Sequence, residues 1–187
     1  MDAKEALECA ARLLKHRQRD GLRIALEHRA TRAFLADPGR LQQVLLNLGA
    51  NALDAMEAAG GTLTFAAADG PDGGVVLHVT DTGPGMPPEV RDRAFEAFFT
   101  TKGPGKGTGL GLHLVREIVR AHGATIEFDT EPGIGTRFHV AWPAAPQDPV
   151  RKGTDHGSAG QADSDPSRGR RGDHPSGARQ DVAARAV

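Results

Sequence analysis

Two asparagines on one helix face, a carboxylate at a strand end and a lysine set among glycines are the side chains best placed for chemistry. Asn47 and Asn51 fall four apart in the run Leu41 to Met56, with Asp54 three further on, so the three stack along one side of a helix. Asparagine in a helix interior costs propensity, and two on an otherwise apolar helix need a reason. One reason is a hard-cation site, in which an amide oxygen and phosphate oxygens share Mg2+. The other is capping of loop backbone groups at the edge of a core. Asp81 opens the stretch Asp81-Thr-Gly83-Pro-Gly85-Met directly after an alternating strand. A carboxylate followed by alternating glycines suits a ligand lying close to backbone; it also suits a plain tight turn.

Two further segments carry the same ambiguity. Phe95-Glu-Ala-Phe98-Phe99-Thr100-Thr101-Lys102 holds three of the seven Phe, which could pin the base of a loop while Lys102 reaches for anions, or could simply be core. Gly103-Pro-Gly105-Lys-Gly107-Thr108-Gly109-Leu110-Gly111-Leu then runs into a helical pattern. Glycines before a helix N-terminus present free backbone N–H groups and the positive end of the helix dipole to phosphate. It is not a Walker A loop, because Lys106 is followed by Gly107 rather than Ser or Thr. Nor is it a dinucleotide fingerprint, because its glycines fall every second residue.

The elements that must position these groups read from periodicity. Ala6, Leu7, Ala10, Leu13 and Leu14 recur at helical spacing within a helix expected over Ala3–Arg17, ahead of Gly21. Leu22, Ile24 and Leu26 alternate as a strand. Asp37 before Pro38 is an N-cap with proline at the first helical position, and the asparagine-bearing helix runs on to Gly60-Gly61. Leu63 and Phe65 start a strand whose hairpin partner carries Val75, Leu77 and Val79. A helix over Leu110–Ala121 stops at Gly123, with His113 and His122 expected to face solvent or cap it. A last hairpin pairs Ala124–Asp129 with Thr136–Ala141. Hairpins interrupted by long helices predict an α+β fold, a two-layer sandwich with helices on one face of a mainly antiparallel mixed sheet.

Composition bounds the rest. The chain has 187 residues and a formal net charge of -1, which removes the usual electrostatic case for nucleic acid or a polybasic membrane contact. Cys9 stands alone, excluding an internal disulfide framework or a cysteine zinc cluster. No apolar run approaches the roughly 18–20 residues that span a bilayer, and the N-terminus lacks signal-peptide character. A cytoplasmic protein is the expectation. Residues 146–187 are poor in large apolar side chains and are expected to be a disordered, low-complexity tail after a domain over 1–145.

In order, these four segments resemble the asparagine box, first glycine box, phenylalanine box and second glycine box of sensor histidine kinase catalytic domains. Those domains belong to the superfamily of gyrase, histidine kinase and mismatch-repair ATPases. The resemblance covers roughly Leu7 to Trp142. It implies that ATP sits between the asparagine-box helix and a lid formed by residues between about Phe95 and Thr108. It further implies that Asn51 coordinates Mg2+, with Asn47 lining the same site, and that Asp81 receives the adenine amino group. By the same resemblance Gly83 and Gly85 let the base approach, and Lys102, Gly107, Thr108, Gly109, Leu110 and Gly111 surround the phosphates.

Two positions depart from relatives. Many sensor kinases have lysine where Asp54 stands, which removes one phosphate contact. ATP-hydrolysing relatives such as gyrase B and MutL have glutamate where Asn47 stands. An amide cannot act as general base, so hydrolysis is expected to be poor and the γ-phosphate kept for a protein acceptor. None of the eight histidines precedes an acidic residue, as the family's acceptor motif requires. The resemblance therefore implies that the dimerising phosphoacceptor domain acts in trans or from an upstream region, with a response-regulator receiver domain downstream. The alternatives are an anti-sigma-type serine kinase of the same fold and a non-catalytic nucleotide-binding module.

Overall fold

A computed structural model describes residues 1–103 and 107–145; the expected C-terminal tail lies outside the described residues. Helix α1 (Ala3–Leu14) is capped by the Asp2 side chain, which accepts from the Lys4 N–H. It buries Ala3, Ala6, Leu7, Ala10 and Leu14 and passes into a single 3-10 turn, Lys15–Arg17. Leu13, expected in the apolar stripe, is instead 45% exposed. Strand β1 (Leu22–His28) leads to α2 (Pro38–Ala55), where the Asp37 carboxylate accepts from Arg40 N–H and Pro38 takes the first turn as expected.

Strands β2 (Gly61–Asp69) and β3 (Val75–Asp81) form the predicted hairpin. Its turn is closed by Gly70 N–H donating to the Gly74 carbonyl at 2.8 Å. A four-residue helix, α3 (Pro88–Arg91), was not legible in the pattern. Helix α4 (Gly111–Ala121) and the hairpin β4 (Thr125–Glu131) with β5 (Gly135–Trp142) complete the elements among the described residues. His122 caps α4: its Nδ1 lies 2.8 Å from the Ile118 carbonyl.

The sheet runs β1-β2-β3-β5-β4. β1 pairs parallel to β2, and the other neighbours are antiparallel. A parallel pair needs a crossover, and α2 supplies it. The α+β class with a mixed, mainly antiparallel sheet is thus as expected. Burial alternates strictly along β3, with Val75, Leu77, Val79 and Asp81 inward, so one sheet face meets the helices and the other does not. Gly49 marks how closely the layers pack. A Cβ there would lie 2.5 Å from Leu14 and 2.7 Å from Phe65. The close approach of α1, α2 and β2 outweighs the roughly 1 kcal/mol that glycine costs in a helix interior.

Candidate functional site

The apolar side of α2 (Leu41, Val44, Leu45, Leu48, Ala52 and Leu53) is buried in the core. That anchoring leaves Asn47, Asn51 and Asp54 on the wall of a cleft of about 700 Å3. The same cleft is lined by Asp81, Gly85, Lys102, Gly107, Thr108, Gly109 and Gly111. Side chains from four separated segments therefore converge on one space. The first residue of α4 faces both asparagines: a Cβ on Gly111 would lie 3.6 Å from Asn51 Nδ2 and 3.8 Å from Asn47 Oδ1. A helix N-terminus and two side-chain amides thus border one end of the cleft.

Asp81 holds the other end. It sits last on β3, opposite Leu63 of β2 and Thr136 of β5, and is only 7% exposed. Its Oδ1 accepts from Gly83 N–H at 2.9 Å. Burial raises its pKa above the usual carboxylate value, opposed by backbone N–H donors of Gly83 and Thr136. Such a carboxylate retains acceptor capacity toward a donor in the cleft.

Two expected contacts stand back from the cleft. Gly83 is not among the lining residues. It lies behind Asp81, where a Cβ would come within 2.8 Å of Asp81 Oδ1 and 3.1 Å of Met56, so its smallness serves the carboxylate rather than a ligand. Leu110, the N-cap residue of α4, is 37% exposed and is not among the lining residues either. Gly85 lines the cleft at φ 67, and a Cβ there would strike the Glu131 carbonyl oxygen.

Lys102 has a partner that spacing did not disclose. Its Nζ is 2.6 Å from Asp54 Oδ2 and 3.4 Å from Asn51 Oδ1, and Arg17 meets the other oxygen, Asp54 Oδ1, at 2.7 Å. Asp54 therefore bridges a lid cation and a cation at the end of the first helical segment. The three phenylalanines do not form one cluster. Phe95 packs edge-on against Phe128 and Phe138. Phe98 is 75% exposed at φ 67, and Phe99 lines the cleft beneath the Arg93 guanidinium, 4.2 Å from the ring centroid. The break at Phe98 lets its N–H donate to the Gly109 carbonyl at 3.0 Å, tying the phenylalanine segment to the glycines that lead into α4. Of the expected lid, residues 104–106 lie outside the described residues.

Met86, Thr100, Thr101, Thr136 and Phe138 also line the cleft without having been singled out. Thr136 could be found only through strand register, because it pairs with Asp81 across the sheet.

A family profile described as histidine kinase-, DNA gyrase B-, and HSP90-like ATPase matches residues 36–146, the stretch that builds this cleft. The chain belongs to that family. Among solved structures of the family, the catalytic domain of histidine kinase ThkA superposes with a TM-score of 0.66 at 30% identity, covering 76% of this chain and 95% of that one. Full-length ShkA in complex with AMPPNP gives a TM-score of 0.70 at 36% identity, over 81% of this chain and 32% of that one. In sequence, sensor kinase CckA of Brucella abortus is 44% identical over 121 residues, 58% of this chain and 13% of its own length. The C4-dicarboxylate transport sensor protein DctB of Rhizobium meliloti is 39% identical over 140 residues, 73% of this chain and 22% of its own. The chain thus spans a minor part of the curated relatives it matches. Among the described residues, no helix is long and apolar enough to cross a membrane.

Proposed function

We propose that this ATPase-family domain binds Mg-ATP and delivers the γ-phosphoryl group to a histidine on a separate dimerisation and phosphoacceptor domain. The parent system is a two-component sensor kinase with a response-regulator receiver domain downstream. One observation carries the reading: Asn47, Asn51, Asp81, Lys102 and the α4 N-terminus border a single cleft. In this reading Asp81 accepts from the adenine amino group, and the lid glycines with Lys102 neutralise the phosphates. Asn51 supplies a hard amide oxygen to Mg2+. The donor set fits that ion, which commonly takes one or two protein oxygens and completes its shell with phosphate and water. Among the described residues, no group of three or more His, Cys, Asp or Glu side chains could hold a metal ion. That favours an ion carried in with phosphates over one held in an all-protein cage.

Asn47 selects the kinase reading over hydrolysis, since its amide has no basic lone pair to take a proton from water. It also ranks histidine transfer above the anti-sigma serine kinase alternative, whose members usually carry glutamate there. The test is transfer from γ-labelled ATP to supplied histidine acceptor domains. Acid-labile label on the acceptor, lost when Asn51→Ala is used, is the expected result. Acid-stable phosphoserine on a small antagonist protein, or no transfer to any acceptor despite ATP binding, overturns it.

A further inference from the structure

The face of the sheet turned away from the helices carries a constellation unconnected with the nucleotide cleft. His78 of β3 and His139 of β5 are direct cross-strand partners, and their Nδ1 atoms lie 3.0 Å apart. The rings meet edge to face, at 4.9 Å between centroids. On the far side of His139, Nε2 lies 2.8 Å from Asp129 Oδ2 on β4, a diagonal neighbour across the ladder. A neutral His139 that donates Nε2–H to that carboxylate has its Nδ1 lone pair free on the side of His78. This arrangement matches the carboxylate–histidine pairing that orients an imidazole for a metal and raises its basicity.

We propose that His78 and His139 form a two-histidine site for a late first-row divalent cation such as Ni2+ or Zn2+, with Asp129 as the positioning carboxylate behind His139. Imidazole nitrogens suit such ions. With metal–nitrogen bonds of about 2.0–2.1 Å, two nitrogens at right angles sit about 2.9–3.0 Å apart, which is the separation found here. Bound to both nitrogens, the ion lies to one side of the line that joins them and displaces the proton held between the two Nδ1 atoms, which moves to His78 Nε2 or to water. No third His, Cys, Asp or Glu converges among the described residues, so water completes the shell. Both rings are half-buried, flanked on β3 by Val76 and Thr80, also half-buried. The ion would staple β3 to β5, the two strands that carry Asp81 and Thr136.

The test is titration of the full, untagged chain with Ni2+, read by calorimetry and by paramagnetic broadening of backbone amide signals. One ion per chain is expected, with broadening centred on His78 and His139 and a raised unfolding temperature. His78→Gln and His139→Gln should each weaken Ni2+ at least about tenfold, and Asp129→Asn by about tenfold, the usual cost of an outer-shell partner. Nucleotide affinity should stay at the wild-type value in His78→Gln, because the cleft lies on the opposite face. Broadening centred on other histidines, or wild-type affinity in either histidine variant, overturns the site. The wild-type broadening pattern decides the matter even if a variant folds poorly.

Discussion

Replacing Asp54 with asparagine tests whether Lys102 serves the cleft or merely the fold. The side chains of Lys102 and Asp54 are 33% and 29% exposed and touch at 2.6 Å, so the pair sits between surface and interior and contributes about 1 kcal/mol. To meet a phosphate, Lys102 must leave that carboxylate. Removing the charge returns about 1 kcal/mol to binding, and the loss of a carboxylate from a phosphate-binding cleft acts in the same direction. Asp54→Asn should therefore tighten Mg-ATP about fivefold. It should also lower stability, because Arg17 loses its 2.7 Å partner too. The combined loss of about 1–2 kcal/mol corresponds to a fall of roughly 3–6 °C in unfolding temperature. Calorimetric titration with a non-hydrolysable ATP analogue and scanning calorimetry read the two effects separately. A double-mutant cycle with Lys102→Met isolates the coupling, whose sign should make the lysine matter more once Asp54 is gone. Weaker binding in Asp54→Asn would refute the reasoning and make Asp54 a ligand or a brace for Lys102.

Asp81→Asn should weaken ATP at least about tenfold, since an amide placed as Gly83 requires turns its N–H2 toward the adenine amine and leaves two donors opposed. The same variant tests the pH dependence. A folded-state pKa raised by burial means that the protonated form stabilises the fold, fully below the unfolded value of 3.8 and progressively less as pH rises through the raised folded value. Wild type should thus lose stability relative to Asp81→Asn across that window, measured as unfolding temperature against pH. Gly109→Ala should cost about 2–3 kcal/mol, because Gly109 has φ 68 and a Cβ there would lie 2.3 Å from the Phe98 carbonyl carbon. Denaturant titration measures it. Asn47→Glu should raise basal ATP hydrolysis about tenfold or more by restoring a general base, read as phosphate release without acceptor.

Much of this arrangement was legible because the informative signals are local. The Asp37-Pro38 cap, the helical spacing of Leu41, Val44, Leu45 and Leu48, and the alternation of Val75, Leu77 and Val79 each act over a few residues, and the elements formed over those residues, although α2 ends at Ala55 instead of running on to Gly60-Gly61. The spacing of Asn47 and Asn51 likewise placed both on one cleft wall. What escaped depends on partners distant in sequence. Asp54 and Arg17 are 37 positions apart, and nothing in either neighbourhood announces the pair. Thr136 enters the cleft through register with Asp81. The phenylalanines at 95, 98 and 99 looked like one cluster, but the positive φ at Phe98 turns successive rings to different surroundings. Strand β1 carries alternating apolar residues yet leaves Leu26 45% exposed at the edge of the sheet, where β2 is its one neighbouring strand.

The two ends of the cleft are held in different ways among the described residues, and that difference bears on the phosphoryl transfer proposed above. Asp81 is fixed by β3, by the ladder to β2 and β5, and by donors from Gly83 and Thr136, so the end proposed for adenine is preorganised and costs little ordering on binding. Among the described residues, the end proposed for the phosphates is tied by Phe95 packed against Phe128 and Phe138, the Phe98–Gly109 backbone bond, and a lysine held by a partly exposed carboxylate. A kinase acting on a histidine from another domain needs that asymmetry, because the γ-phosphate must be shielded from water yet reachable by an incoming imidazole. Substitutions at Asp81 should therefore move affinity and stability together. Those in the lid, where they neither strain the backbone nor unpair a core contact, should change transfer to the acceptor while leaving unfolding temperature nearly unmoved.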